Sequence, residues 1–338
     1  MKNRSFYMGV ECSGWNSKKL EAEAETLLRT GLFAAGYRTL FYGGDYCDKA
    51  EINKKLAQLG FGAGISFDIR RDDETEFHRL ISEAGNINCI RFTGIMNQKD
   101  LEKALKLRSC FGEFRFEVEV DEHLMGQEKT EYTENIYIKP MEGIEHSFLE
   151  TTRHLLDSCI DEGTTAEAAL STVRARKMAG QRLYSLLPME LKFDHYANQA
   201  LYANYLILGC PLVLGTSPSG LTEKTVSMLC DGFLRSLTGM EKMQGEVAHY
   251  YDPWHVLYKR RLNEQELLLL ALNRCHGDTP MDIIPKRDFP EMNMESFSVY
   301  DCLEGRLCAE KTSFFSFYAE TSDHPGTPCC RLLLVKSV

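Results

Sequence analysis

Three acids spaced two apart, Glu117, Glu119 and Asp121 in "FRFEVEVD", are the residues of this chain whose types and spacing most suggest chemistry. In an extended segment that spacing puts them on one face with Arg115, while Phe114, Phe116, Val118 and Val120 form the other. Carboxyl groups crowded on one face repel one another, which raises at least one pKa and suits a general acid. An interior ion pair with Arg91, Arg115 or Lys139 explains the same pattern, and Asp121 is the acid nearest the end of the run. A second run, "INCIRFTGIM", reads as a short buried strand ending at a turn. Asn88, Ile90 and Phe92 alternate there with Cys89, Arg91 and Thr93. Arginine stays protonated and is no base, and a threonine hydroxyl is a poor nucleophile without one. That strand therefore offers binding groups and no carboxylate. Arg91 reads either as a clamp on hydroxyls or a carboxylate, or as a structural arginine paired inside the fold.

The elements that must position these residues alternate strand and helix through the first two-thirds of the chain. "KKLEAEAETLLRTGLFAAG" has helical spacing, with Leu20, Leu27 and Leu28 on one side and Gly36 as C-cap. "YRTLFYGGD", "GAGISFDI", "INCIRFTG", "EFRFEVEVD" and "NIYIKPM" read as strands with helical stretches between them, and a further helix is expected around "SFLETTRHLLDSC". With "FYMGVEC" first, "QRLYSLLPM" seventh and "CPLVLGT" eighth, the count is eight, which predicts a closed (β/α)8 TIM barrel of the α/β class. In "GAGISFDI" the apolar set Ala63, Ile65, Phe67 and Ile69 is expected to face helices, and Gly62, Gly64, Ser66 and Asp68 the lumen. Polar lumen residues near strand C-termini are where barrel active sites sit. From about residue 250 the chain turns β-rich, which predicts a small antiparallel β-sandwich domain. The expected division is a barrel over residues 1–248 and a sandwich over 249–338.

The chain has 338 residues and a formal net charge of −10 without a basic run, which argues against nucleic acid and for a neutral small molecule such as a sugar. No run approaches the roughly 18 apolar residues of a membrane span, so no membrane partner is expected. The start, "MKNRSFYMGVECSGW", carries no apolar segment of the kind found in signal peptides. Twelve cysteines scattered without a CxxC pair suggest reduced thiols and a cytoplasmic protein. No HExxH or His-x-His occurs, "EGIEH" is weak metal spacing, and neither a metal nor another cofactor is expected. In "GTSPSGLTEKT", Ser219 or Thr222 is expected to cap a helix, whose start could also hold an anion.

Several segments resemble the α-galactosidase clan of glycoside hydrolases, the melibiase-like barrels with a C-terminal β-sandwich. "YANQALYANYLILGCPLVLGTSPSGLTEKTVSMLCDG" is similar to that family's last barrel helix, eighth strand and following helix. "LLLLALNRCHGD", "YDCLEGRL" and "CCRLLLV" are similar to its sandwich strands, and "MGVECSGWN", "AGYRTLFYGGDYC" and "LGFGAGISFD" to its first three barrel strands. The resemblance implies binding, and hydrolysis, of a terminal α-linked sugar at the barrel mouth. It also implies sugar-hydroxyl contacts from Asp45 and Asp68, for which loop capping is the competing role. Trp15 is expected as an aromatic wall, or as simple filling.

The departures fall on the chemistry. The family's fourth strand ends Lys-x-Asp, with the aspartate as nucleophile; here Arg91 and Thr93 stand there. Where its sixth strand carries an arginine and then the acid/base aspartate, this chain has Lys139 and, out of register, Glu142. The seventh strand's Asp-Pro-Asp-Met is replaced by "SLLPMEL". Glycoside hydrolysis ordinarily needs two carboxyl groups flanking one bond. The expected pair is therefore Glu119, matched to the family's fifth-strand glutamate, or Asp121, with Glu142; Glu142 also reads as a solvated loop acid. The alternative is a catalytically silent barrel that binds a carbohydrate or a protein partner.

Overall fold

Alternating small and large residues build the first sheet. Gly9, Gly64 and Gly43 carry no side chain where neighbouring strands crowd together, while Val10, Leu40, Ile65, Phe67, Ile90 and Phe92 are buried. The computed structural model describes residues 8–12, 14–43, 46–83, 86–109, 115–121, 135–139, 189, 191, 195–208, 212–237, 246–252, 255–273, 279–319 and 329–338. These fall into two compact units, one holding the described residues up to 139 with 189, 191 and 212–230, the other holding 195–208 and 231–338.

In the first unit, strands β1 (Met8–Glu11), β2 (Tyr37–Gly43), β3 (Gly62–Asp68), β4 (Ile87–Ile95), β5 (Arg115–Asp121), β6 (Asn135–Lys139) and β7 (Val213–Leu214) form one parallel sheet in the order β6-β5-β4-β3-β2-β1-β7. The last strand in sequence thus lies beside the first, as closure of a barrel requires. Met189 bridges Leu214 in parallel, which puts the predicted seventh strand on the far side of β7. The remaining closing pair, and the helix expected around residues 147–159, lie outside the described residues. Helices α1 (Ser17–Thr30), α2 (Leu32–Ala35), α3 (Tyr46–Gln58), α4 (Glu74–Glu83) and α5 (Gln98–Ser109) follow the strands in the expected alternation.

In β3 and β4 strand parity follows the expectation. Phe67 and Phe92 pack on Phe77 of α4, with ring centroids 4.3 and 6.3 Å away, so their face is the helix side. Two details differ from the expectation. Gly31, at φ 84°, breaks the single predicted helix into α1 and α2, and Gly36 caps only the second piece. Leu28 is 39% exposed although Leu20 and Leu27 are buried, because a step of eight residues from Leu20 turns about 80° off the buried stripe.

In the second unit, β8 (Glu246–Asp252), β9 (His255–Arg261), β10 (Glu266–Asn273), β12 (Phe297–Asp301), β13 (Arg306–Thr312) and β15 (Cys329–Ser337) form an antiparallel sheet in the order β13-β12-β15-β10-β9-β8. Strands β11 (Thr279–Ile283) and β14 (Phe315–Ala319) pair separately, and Met281, Ile283 and Phe317 close a core over Leu267, Leu269, Leu333 and Val335. Leu268 and Leu270 belong to the opposite face, on which helix α6 (His195–Leu208) packs, so the consecutive leucines 267–270 of β10 are all buried. Arg260, also fully buried, donates to the carbonyls of Leu206 and Leu237, satisfying ends of backbone that a helix cannot pair itself.

Candidate functional site

The lumen is floored by one ring. Phe41 of β2 clusters with Cys89 of β4 and Val213 of β7. A Cβ at Gly64 would stand 2.3 Å from the Phe41 ring and one at Gly9 would stand 2.6 Å from it, so the glycines of β1 and β3 make room for the phenylalanine. Above that ring lies Arg91, its guanidinium carbon 4.8 Å from the ring centroid. Arg91 Nη1 donates to Glu11 Oε2 at 3.2 Å, an ion pair whose side chains are 7% and 18% exposed. Arg91 is therefore internally paired, as one of its two sequence readings has it. Its partner, at the C-terminal end of β1, carried no sequence signal: it is a single acid in a strand of four residues, 80 positions away.

The mouth is shaped by the end of β4. An extra residue in β4 opposite β5 makes a bulge across Phe92 to Ile95, and Gly94 sits within it at φ 71°. The run does not stop at a turn there, as expected, but continues through the bulge to Ile95. A side chain at residue 94 would meet the Asp68 carboxylate at 2.3 Å, so glycine lets β3 and β4 end side by side, with Asp68 and Thr93 in register. Asp68 Oδ1 accepts the backbone N–H groups of Arg70 and Arg71 at 2.9 and 3.2 Å, and its own N–H goes to Asp72. Asp68 thus plays the loop-capping role. Arg70 also grips Asp100 at 2.8 Å. Although burial opposes it, that grip, with the Met96 N–H, holds the Asp100 carboxyl below its usual range. The loops after β3 and β4 are thereby tied together.

The other expected site residues divide. Trp15 lies just beyond β1, its backbone N–H on the Cys12 carbonyl and Lys19 Nζ 4.5 Å above its ring. Glu119 and Asp121 lie on β5 in register with Tyr137 and Lys139 of β6, and Arg91 is in register with Glu117. Asp45 and Glu142 lie outside the described residues. Among the described residues no group of three His, Cys, Asp or Glu side chains could hold a metal, and no helix is long and apolar enough to cross a membrane.

The loop after β7 resolves the capping alternatives. Thr222 caps helix α7 (Glu223–Cys230) through the Thr225 N–H, whereas Ser219 serves Glu23 of α1. The buried Glu23 carboxylate accepts the Ser219 N–H at 2.9 Å and its hydroxyl at 2.6 Å, so this loop's polar groups are met by the chain's own anion. Ser219→Ala should cost about 1.5–3 kcal/mol, the worth of a hydrogen bond to a charged group, read as a lower urea midpoint with an unchanged slope.

No protein-family model matches the chain, and a comparison with curated proteins finds no match. Solved structures do match. The α-galactosidase I of Mortierella vinacea aligns over 100% of both chains at 11% identity and TM-score 0.70. The Saccharomyces cerevisiae α-galactosidase with raffinose aligns over 99% of this chain and 98% of its own, at 9% identity and TM-score 0.69. A β-L-arabinopyranosidase from Geobacillus stearothermophilus in complex with arabinose aligns over 99% and 98%, at 9% identity and TM-score 0.66. At such identities the likeness is one of fold, and it completes the architecture begun by the β1–β7 pairing: a (β/α)8 barrel followed by a C-terminal antiparallel β domain.

Proposed function

We propose that the chain is a divergent member of the α-galactosidase clan and binds a terminal α-linked, α-galactoside-like sugar at the C-terminal mouth of its barrel. The carrying observation is the polar lumen itself. Arg91 and Glu11 are paired above Phe41, with Asp68 and Thr93 side by side at the strand ends. The Saccharomyces and Geobacillus structures, whose fold runs along nearly the whole chain, were solved with raffinose and arabinose, which supports a carbohydrate ligand. In this reading Asp45, Asp68, Arg91, Thr93, Lys139 and Trp15 contact the sugar. Hydrolysis falls to carboxyl groups moved off β4, with Glu119 or Asp121 opposite Glu142. The cytoplasmic location belongs to the same proposal.

A second reading, a silent binding barrel, is favoured by Arg91 and Thr93 at the place where the resemblance puts a lysine and the nucleophile. Nitrophenol release from nitrophenyl α- and β-glycosides separates the two. The hydrolytic reading expects turnover of an α-glycoside, reduced about 10²–10⁴-fold in Glu119→Gln. Turnover untouched by that substitution moves the role to Asp121 and Glu142. Raffinose binding without turnover on any glycoside selects the silent barrel.

A further inference from the structure

We propose that Glu11 is a ligand-binding residue, and that with Arg91 it forms a carboxylate–guanidinium pair that takes two adjacent hydroxyl groups of the sugar. The inference rests on the reading of the barrel mouth as a carbohydrate site. It supplies from β1 a carboxylate that the end of β4 lacks.

The path between the two residues is built for the pairing. Arg91 on β4 must cross β3 and β2 to reach β1, and the intervening lumen positions are Ser66, Gly64 and Gly43. These are small residues over which a long side chain can lie. Phe41 supports the guanidinium from below at 4.8 Å, and Glu11 is the last residue of its strand, on the mouth side. The carboxylate is the more exposed partner, 18% against 7%. A guanidinium has five donors and a carboxylate about four acceptor sites, so the two can hold each other and a ligand at once. A hydroxyl both gives and takes a hydrogen bond. Two neighbouring hydroxyls can therefore give their protons to Glu11 and accept from Arg91, a match for a vicinal diol that a lone arginine or a lone acid does not provide.

The test is calorimetric titration of the full chain with methyl α-D-galactopyranoside, its monodeoxy analogues and raffinose. Glu11→Gln removes the carboxylate that Arg91 Nη1 donates to and risks misfolding. Glu11→Gln combined with Arg91→Met removes both charges together. The native protein is expected to bind the parent glycoside and to reject the analogues that lack either engaged hydroxyl. The folded double variant is expected to bind the parent more than tenfold more weakly and to treat parent and analogues alike, a change that a merely structural pair would not produce. A folded double variant that keeps both native affinity and native rejection of the analogues overturns the role of Glu11 and leaves the sugar site standing. A native protein that binds none of these probes overturns both.

Discussion

Phe41→Ala should destabilise the barrel unit by about 3–5 kcal/mol, because it deletes a fully buried ring and leaves a cavity in the lumen floor. The sharper expectation concerns its two glycine neighbours. Gly64→Ala alone should cost about 1–3 kcal/mol by overpacking, since the nearest atoms its Cβ would meet, at 2.3, 2.6 and 2.9 Å, are all of the Phe41 ring. In the Phe41→Ala background the same substitution should become neutral or stabilising, because the obstacle is gone and the methyl group fills part of the hole. Gly9→Ala should show no such reversal. Its Cβ would stand 2.5 Å from the Thr39 carbonyl oxygen, a backbone atom that removal of the ring does not move away. Urea unfolding of the three single and two double variants gives the coupling directly. Equal behaviour of the two glycines would sink the assignment of Phe41 as the ring for which the lumen is cleared.

The same contrast shows which parts of the structure are legible in the sequence. The helix-facing side of β3 and β4 is a local pattern, since Ala63, Ile65 and Phe67 repeat every second residue and any reading of strand parity finds them. The β-rich texture after residue 250 is legible for the same reason. The lumen is not, because its partners come from distant strands. Glu11 meets Arg91 across 80 positions and Glu23 meets Ser219 across 196, and nothing in either segment alone announces a partner. Asp68 and Arg91 were identifiable as polar lumen residues, but each had two roles consistent with its position. Only geometry shows what each side chain holds within the fold: two backbone N–H groups on Asp68 and a carboxylate on Arg91. The short edge elements were missed differently. β11 contains Pro280 and, among the described residues, pairs with β14 alone, so it lacks the uninterrupted β signal of a central strand. Helix α6 reads naturally as a barrel helix by its place in the alternation, yet it packs on β9, β10 and β15. Its Tyr202, Ala203, Tyr205, Leu206 and Ile207 are all buried, so no single apolar stripe tells which sheet it serves.

Asp301→Ala should cost the β domain about 3–5 kcal/mol, the loss expected when one partner of a buried ion pair is removed. Asp301 ends β12 almost fully buried, and its Oδ2 accepts Arg331 Nε of the adjacent β15 at 2.7 Å. Its Oδ1 accepts the N–H groups of Leu303 and Glu304, at 3.0 and 3.1 Å, and so fixes the turn from β12 into β13. Burial alone would depress the Arg331 pKa, and in the native protein the carboxylate beside it more than reverses this. Arginine stays protonated even without that carboxylate, so the guanidinium remains charged in the variant and loses the counter-ion it is hydrogen-bonded to. Two further variants divide the effect. Asp301→Asn keeps an acceptor for the turn and should fall between native and Asp301→Ala. Adding Arg331→Met to Asp301→Ala should recover part of the loss, because no unpaired buried charge remains and the two turn N–H groups lie near enough to the surface to reach water. A loss below about 1 kcal/mol for Asp301→Ala would mean that the pair does not hold this end of the sheet. The two segments joined by the pair, "YDCLEGRL" and "CCRLLLV", are also two of those that resemble the α-galactosidase clan. The pair therefore gives both segments a structural role in the β domain, independent of whatever chemistry the barrel performs.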